Sequence, residues 1–168
     1  MKLNYFKFKA KQNNREQGFT IIELLVVMLI MGVLSVMSLP TLLANVGKSR
    51  ETEATINLGT LSRAQQNYHL ENQQFATTIA DLNSTVALTS KYYDFPDPGI
   101  ASNTLVRHQA TATSVRARQV RNYASGIYYE PSSGASAIVI CQAQGVGFAV
   151  DAPNTVIDNC TNGGRKIK

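Results

Sequence analysis

Between Phe19 and Leu39 run 21 residues, FTIIELLVVMLIMGVLSVMSL, in which Glu23 is the only charge. As a helix this stretch is about 30 Å long, the thickness of the hydrocarbon core of a bilayer. It predicts a membrane-crossing segment. Ahead of it Lys2, Lys7, Lys9, Lys11 and Arg15 stand against Glu16 alone, net +4, out of +5 for the whole chain. The positive-inside rule then keeps the leading end cytoplasmic and sends everything after Pro40 to the far side. Only +1 remains for the rest, so the basic balance belongs to the leading segment rather than to a nucleic-acid-binding face. At 168 residues the chain has room for one head beyond the apolar segment and is too short for two sizeable cores.

A secretory signal peptide also begins with positive charge followed by an apolar run. Here the run exceeds the usual length, lacks a small-residue cleavage site at its end and contains a carboxylate near its start. Glu23 is the most informative residue, because an ionisable group within a membrane helix costs at least ~2.5 kcal/mol and marks a function. Cleavage between Gly18 and Phe19 would place a new α-amino group one helical turn from Glu23, in the same chain or a neighbour. The amine and carboxylate could then pair in apolar surroundings. The alternative is a carboxylate that simply reaches to the interface.

The run Gly18-Phe19-Thr20-Ile21-Ile22-Glu23-Leu24 after a short basic leader resembles the type IV prepilin signature. The resemblance is strong over about residues 15 to 70 and only architectural beyond. It implies a peptidase that cuts after Gly18, N-methylation of Phe19, and an assembly role for Glu23; Pro40 matches the proline that commonly interrupts the helix in this family. It also implies a pilin-like α+β fold, with a long N-terminal helix, membrane half plus amphipathic half, packed on a small antiparallel sheet. The domain plan is a cleaved leader at 1–18, a hydrophobic membrane or filament-core segment at 19–46, and the amphipathic continuation with a periplasmic or extracellular head at 47–168.

Beyond Pro40, which should weaken or kink the helix, apolar periodicity resumes: Ala54, Leu58, Leu61, Gln65 and Tyr68 follow three- and four-residue spacing. The expected helix runs from about Phe19 to about Asn72, its second half facing a sheet. A coiled-coil seam is disfavoured because the stripe spans barely two heptads. Residues 73 to 103 read as a connection, with Tyr92 and Tyr93 as anchors pinning it to the head or as partner contacts. Strands are expected at Leu105–Ala112, Ile127–Glu130, Ala137–Gln142 and Gly147–Val150, with turns at Pro131–Gly134 and Ala143–Gly145.

Cys141 and Cys160 fit a disulfide if the head is exported, closing a loop worth roughly 3 kcal/mol; two buried free thiols are the alternative. His69 and His108 are isolated and read as surface or packing residues, so no catalytic site, cofactor or metal is expected. Arg116, Arg118 and Arg121 form the one basic cluster after the leader. Nearly neutral surroundings favour a solvated or subunit-contact role there over nucleic-acid contact.

The reading is a structural subunit, not an enzyme. The resemblance implies a single-pass precursor in the bacterial inner membrane that assembles with other pilin subunits through its helix. Implied partners are prepilin peptidase, an inner-membrane assembly platform with its ATPase and, in two-membrane cells, an outer-membrane pore. The nearest alternative is a type II secretion pseudopilin forming a short periplasmic filament. A membrane-tethered binding protein and a periplasmic enzyme are the more distant ones.

Overall fold

In a computed structural model, which describes residues 19–82, 88, 90–115 and 119–168, the first element is α1, a helix at Ile21–Asn72. The leader, Gly18 included, and the pair Arg116 and Arg118 lie outside the described residues. The chain divides into two units, one ending at Thr41 and the other comprising Leu42–Lys168. α1 is assigned continuously through Pro40, so the proline expected to weaken or kink the helix does not end it. A proline at this place lacks the N–H that would donate to the carbonyl four residues back.

Within the second unit the expected stripe is the buried face of α1. Ala54, Leu58, Leu61 and Gln65 have no exposed surface and Tyr68 is half-buried. Ala54 and Leu58 pack on Tyr93, Ala110, Tyr123 and Ile140. Leu61 instead meets Ala76 and Leu82 in the segment that follows the helix. Each buried leucine contributes about 1.5–3 kcal/mol relative to exposure, enough to hold this stretch of helix onto the sheet.

The sheet is antiparallel throughout, with strands β1 (Tyr93–Asp94), β2 (Ile100–Ala101), β3 (Leu105–Ala112), β4 (Arg121–Glu130), β5 (Ala135–Val146) and β6 (Arg165–Lys166). Its order is β1-β3-β4-β5-β6, with β2 also on β3. Side chains alternate between two covered faces. Toward α1 the register sets Val106 opposite Ile127, His108 opposite Ser125 and Ala110 opposite Tyr123. The other face carries Ala124, Tyr128, Val139, Cys141 and Ala143, covered by Val150 and Cys160 of the C-terminal loop. Three layers result: helix, sheet and loop.

β3 has its expected bounds, whereas three expectations fail. The strand expected from Ile127 begins at Arg121, because Tyr123–Tyr128 is buried on both faces and shows no polar alternation. Gly126 sits there because the loop packs directly above it; a Cβ at that position would lie 2.9 Å from the Ala152 methyl. Ala143–Gly145 is not a turn but part of β5, where the β4 span Arg121–Tyr123 faces the longer β5 span Gln142–Val146 as a bulge. Consequently Gly147–Val150 is no strand: Gly147 has φ 80° and starts the loop that folds back over the sheet. The short strands β1, β2 and β6 were not expected. Tyr93 does anchor the connecting region, buried and donating its hydroxyl to the Arg121 carbonyl at 2.9 Å.

Candidate functional site

The described chain starts at Phe19, and every side chain from there to Leu39 is exposed in the isolated molecule. α1 is long and apolar enough at this end to cross a membrane. A helix apolar on all sides is covered by lipid or by other chains. Its few polar groups are satisfied internally, as such surroundings demand. The Ser35 hydroxyl donates to the Met31 carbonyl at 2.7 Å, and Ser38 donates to the Ser35 carbonyl at 3.3 Å.

Glu23 closes the beginning of the helix. Its Oε2 accepts from the Thr20 backbone N–H at 3.0 Å and from the Thr20 hydroxyl at 2.7 Å, while the Glu23 N–H donates to Thr20 Oγ1 at 3.3 Å. This is a reciprocal capping box. The Thr20-x-x-Glu23 spacing carried that signal in the sequence, and both readings of Glu23, as the partner of an amine or as a carboxylate reaching to the interface, overlooked it. One carboxylate thus caps the helix at Thr20, the residue after Phe19, whose amine cleavage after Gly18 would free.

In the head, Glu51 of α1, which lies off the Ala54–Tyr68 stripe, bonds to the sheet. Its carboxylate accepts from the Tyr123 hydroxyl and from the Arg121 backbone N–H, both at 3.1 Å, and the Arg121 guanidinium lies 3.8 Å away. Burial pushes the Tyr123 hydroxyl up to about 12, so it remains a donor at any physiological pH. Arg121 is therefore charge-matched within its own head.

Both histidines are buried. His69 lies between Phe75 and Tyr129, ring centroids 4.5 and 4.3 Å away, with Nε2 donating to the Asn103 carbonyl at 2.8 Å. His108 contacts Gln65 under the sheet. Among the described residues no cluster of His, Cys, Asp and Glu is arranged to hold a metal ion.

The C-terminal loop is pinned to the sheet by unlike devices. Cys141 of β5 and Cys160 form a disulfide, with Cα atoms 5.8 Å apart. Arg107 of β3, nearly buried, pairs with Asp151 at 3.4 Å and bonds to Asn154. The Tyr128 hydroxyl donates to the Pro153 carbonyl at 2.6 Å.

Residues 51–160 match the family described as type IV pilin-like G and H, and residues 13–39 match the prokaryotic N-terminal methylation motif. The chain is similar to the type II secretion system core protein G of Aeromonas hydrophila, 33% identical over 87 residues, which is 52% of this chain and 59% of that protein. With the corresponding core protein G of Escherichia coli K12 it shares 33% identity over 76 residues, 45% of this chain and 52% of the relative. With the type IV major pilin protein PilA of Myxococcus xanthus it shares 34% over 67 residues, 40% of this chain and 30% of that pilin. The chain thus spans little more than half the length of the secretion relatives it matches.

Proposed function

Because this chain belongs to the type IV pilin-like G and H family, we propose that it is a structural subunit of a type IV pilus or pilus-like filament, made as a single-pass inner-membrane precursor. Prepilin peptidase removes residues 1–18 by cutting after Gly18, and the new N-terminal Phe19 is methylated. The subunit waits with its head beyond the membrane, then exchanges lipid for neighbouring helices at the assembly platform, driven by the platform ATPase. The role is packing, not catalysis.

One observation carries this reading: a helix apolar on every side begins at a capping box inside the stretch that matches the methylation motif, residues 13–39. Removing the exposed side chains between Phe19 and Leu39 from water or lipid needs a surface the head does not supply, and identical neighbours supply it. As subunits associate, Glu23 pairs with the Phe19 amine of its own chain or the next and sets their axial register. A pseudopilin of a type II secretion system is the second reading, favoured by the names of relatives such as those of Aeromonas hydrophila and Escherichia coli.

The test is the N-terminal residue and mass of protein purified from its membrane, wild type beside Gly18→Ala. We expect a chain starting at methylated Phe19, with processing lost in the variant; a start at Met1 or near residue 45 sinks the reading. Glu23→Gln separates the two duties of that side chain, since glutamine also serves in a capping box. Processing should continue and assembly should fall.

A further inference from the structure

On the helix side of the sheet, Ile56, Gly59 and Arg63 of α1, Ile140 of β5, and Ile167 with Lys168 beyond β6 line a cleft of about 380 Å³. Its floor, Ile140, is buried, while Ile56 is 62% exposed. Gly59 lines the cleft without a side chain. A glycine inside a helix costs about 1 kcal/mol relative to alanine. No positive φ and no close backbone approach requires this one, since a Cβ there would meet nothing within 4 Å. What the glycine leaves is room, apolar below and positively charged at the rim.

The opposite face of the sheet presents the complement. At the tip of the C-terminal loop, Ile157 is 89% exposed, the most exposed large apolar side chain among the described residues. Single exposed apolar residues are ordinary on a surface, but this one is held in place. The Thr155 hydroxyl donates to Asp158 Oδ2 at 2.7 Å and the Lys166 ammonium donates to the Val156 carbonyl at 2.7 Å. Three residues on, Cys160 is bonded to β5. The tip is ordered on folding, so docking it carries little further entropic cost.

We propose that the Ile157 tip of one copy docks in the Ile56–Gly59 cleft of the next copy, with Asp158 toward Arg63 and Lys168. This rests on the filament reading above and adds to it the contact between heads. Knob and cleft lie on opposite faces of one sheet, so they cannot meet within a chain. Two different surfaces that fit each other across copies make a head-to-tail contact, which propagates as an open filament when the rotation does not close a ring. The Asp158 carboxylate at the tip and the Arg63 guanidinium at the rim carry opposite charges that fix which way round the copies pair, while the Lys166 ammonium is engaged with the Val156 carbonyl.

The full-length chain tests this in the membrane where wild type assembles. Cys141 and Cys160 are joined to each other, which leaves introduced thiols as the reactive pair. Under mild oxidation a mixture of Ile56→Cys and Ile157→Cys chains should give a cross-linked dimer, neither variant alone should, and the doubly substituted chain should give a ladder. Gly59→Leu should fill the cleft and lower filament yield several-fold, with the urea midpoint of the head at or above wild type, whereas Gly59→Ala should assemble normally. Arg63→Asp should reduce yield and Asp158→Arg should restore it. If processed wild type forms filaments but the mixed pair does not cross-link and Gly59→Leu assembles at wild-type yield, the docking contact is wrong and the filament reading stands. If wild type is neither processed at Phe19 nor assembled, both fall together.

Discussion

The side-chain nitrogen of Gln65 lies 2.9 Å from Nε2 of His108, and neither residue has exposed surface. The remaining bonds of Gln65 determine what passes between them. Gln65 Oε1 accepts from the Ala76 N–H at 2.9 Å, and Nε2 donates to the Ala76 carbonyl at 3.1 Å. Gln65 therefore presents its second N–H to His108, whose Nε2 must be an unprotonated acceptor with the ring proton on Nδ1. A doubly protonated imidazole would turn an N–H against an N–H and lose the bond from Gln65.

Burial lowers His108 to about 4, outweighing the carboxylate of Asp97, which pulls the other way. Because the folded state resists a proton that the unfolded chain accepts near 6.5, stability is full above that value and falls as the pH drops toward 4. Urea unfolding at pH 7 and pH 5 should differ by about 2 kcal/mol from this residue. His108→Asn should flatten that dependence whatever it does to the absolute stability; an unchanged slope would refute the assignment.

The disulfide joins residues 19 apart across the loop face of the sheet. Replacing both Cys141 and Cys160 by serine should cost about 3 kcal/mol, mostly through the freer unfolded chain. Reduced wild type should unfold at the same urea concentration as the double variant.

Two glycines should respond with opposite signs. Gly126→Ala forces a methyl to within 2.5 Å of the Tyr128 hydroxyl and 2.9 Å of Ala152, and should cost about 1–3 kcal/mol. Gly59→Ala enters open space on a helix and should stabilise by up to about 1 kcal/mol. Thermal midpoints of the two variants beside wild type decide the matter.

Glu51→Ala leaves the Tyr123 hydroxyl and the Arg121 N–H without their carboxylate and should cost about 1–3 kcal/mol. A double-mutant cycle with Tyr123→Phe should return a coupling of at least ~0.5 kcal/mol. Additive losses would mean that the contact contributes nothing.

The helix was legible because its signals are local. An apolar run without interruption and a stripe from Ala54 to Gln65 at helical spacing each lie within a few turns of chain, as does the overlooked Thr20-x-x-Glu23 cap. β3 was legible for the same reason. The first part of β4 was not, because Asn122, Ala124, Ser125 and Gly126 look like loop residues until a second layer lies over them. The role of Glu51 was not legible either, since only the register of β4 brings Tyr123 and the Arg121 N–H to it.

The membrane-length helix, the charge asymmetry around it and the family signature at its start are all written in the residues alone, because each depends on neighbours along the chain. The covering of the sheet on both faces, the uncharged His108 beneath it, and the placement of the Ile157 tip and the Gly59 cleft on opposite sides emerge only once the chain is folded. Those properties arise from burial and from contacts between residues far apart in the chain, and the free energy of burying a group is set by what covers it, which no local pattern records.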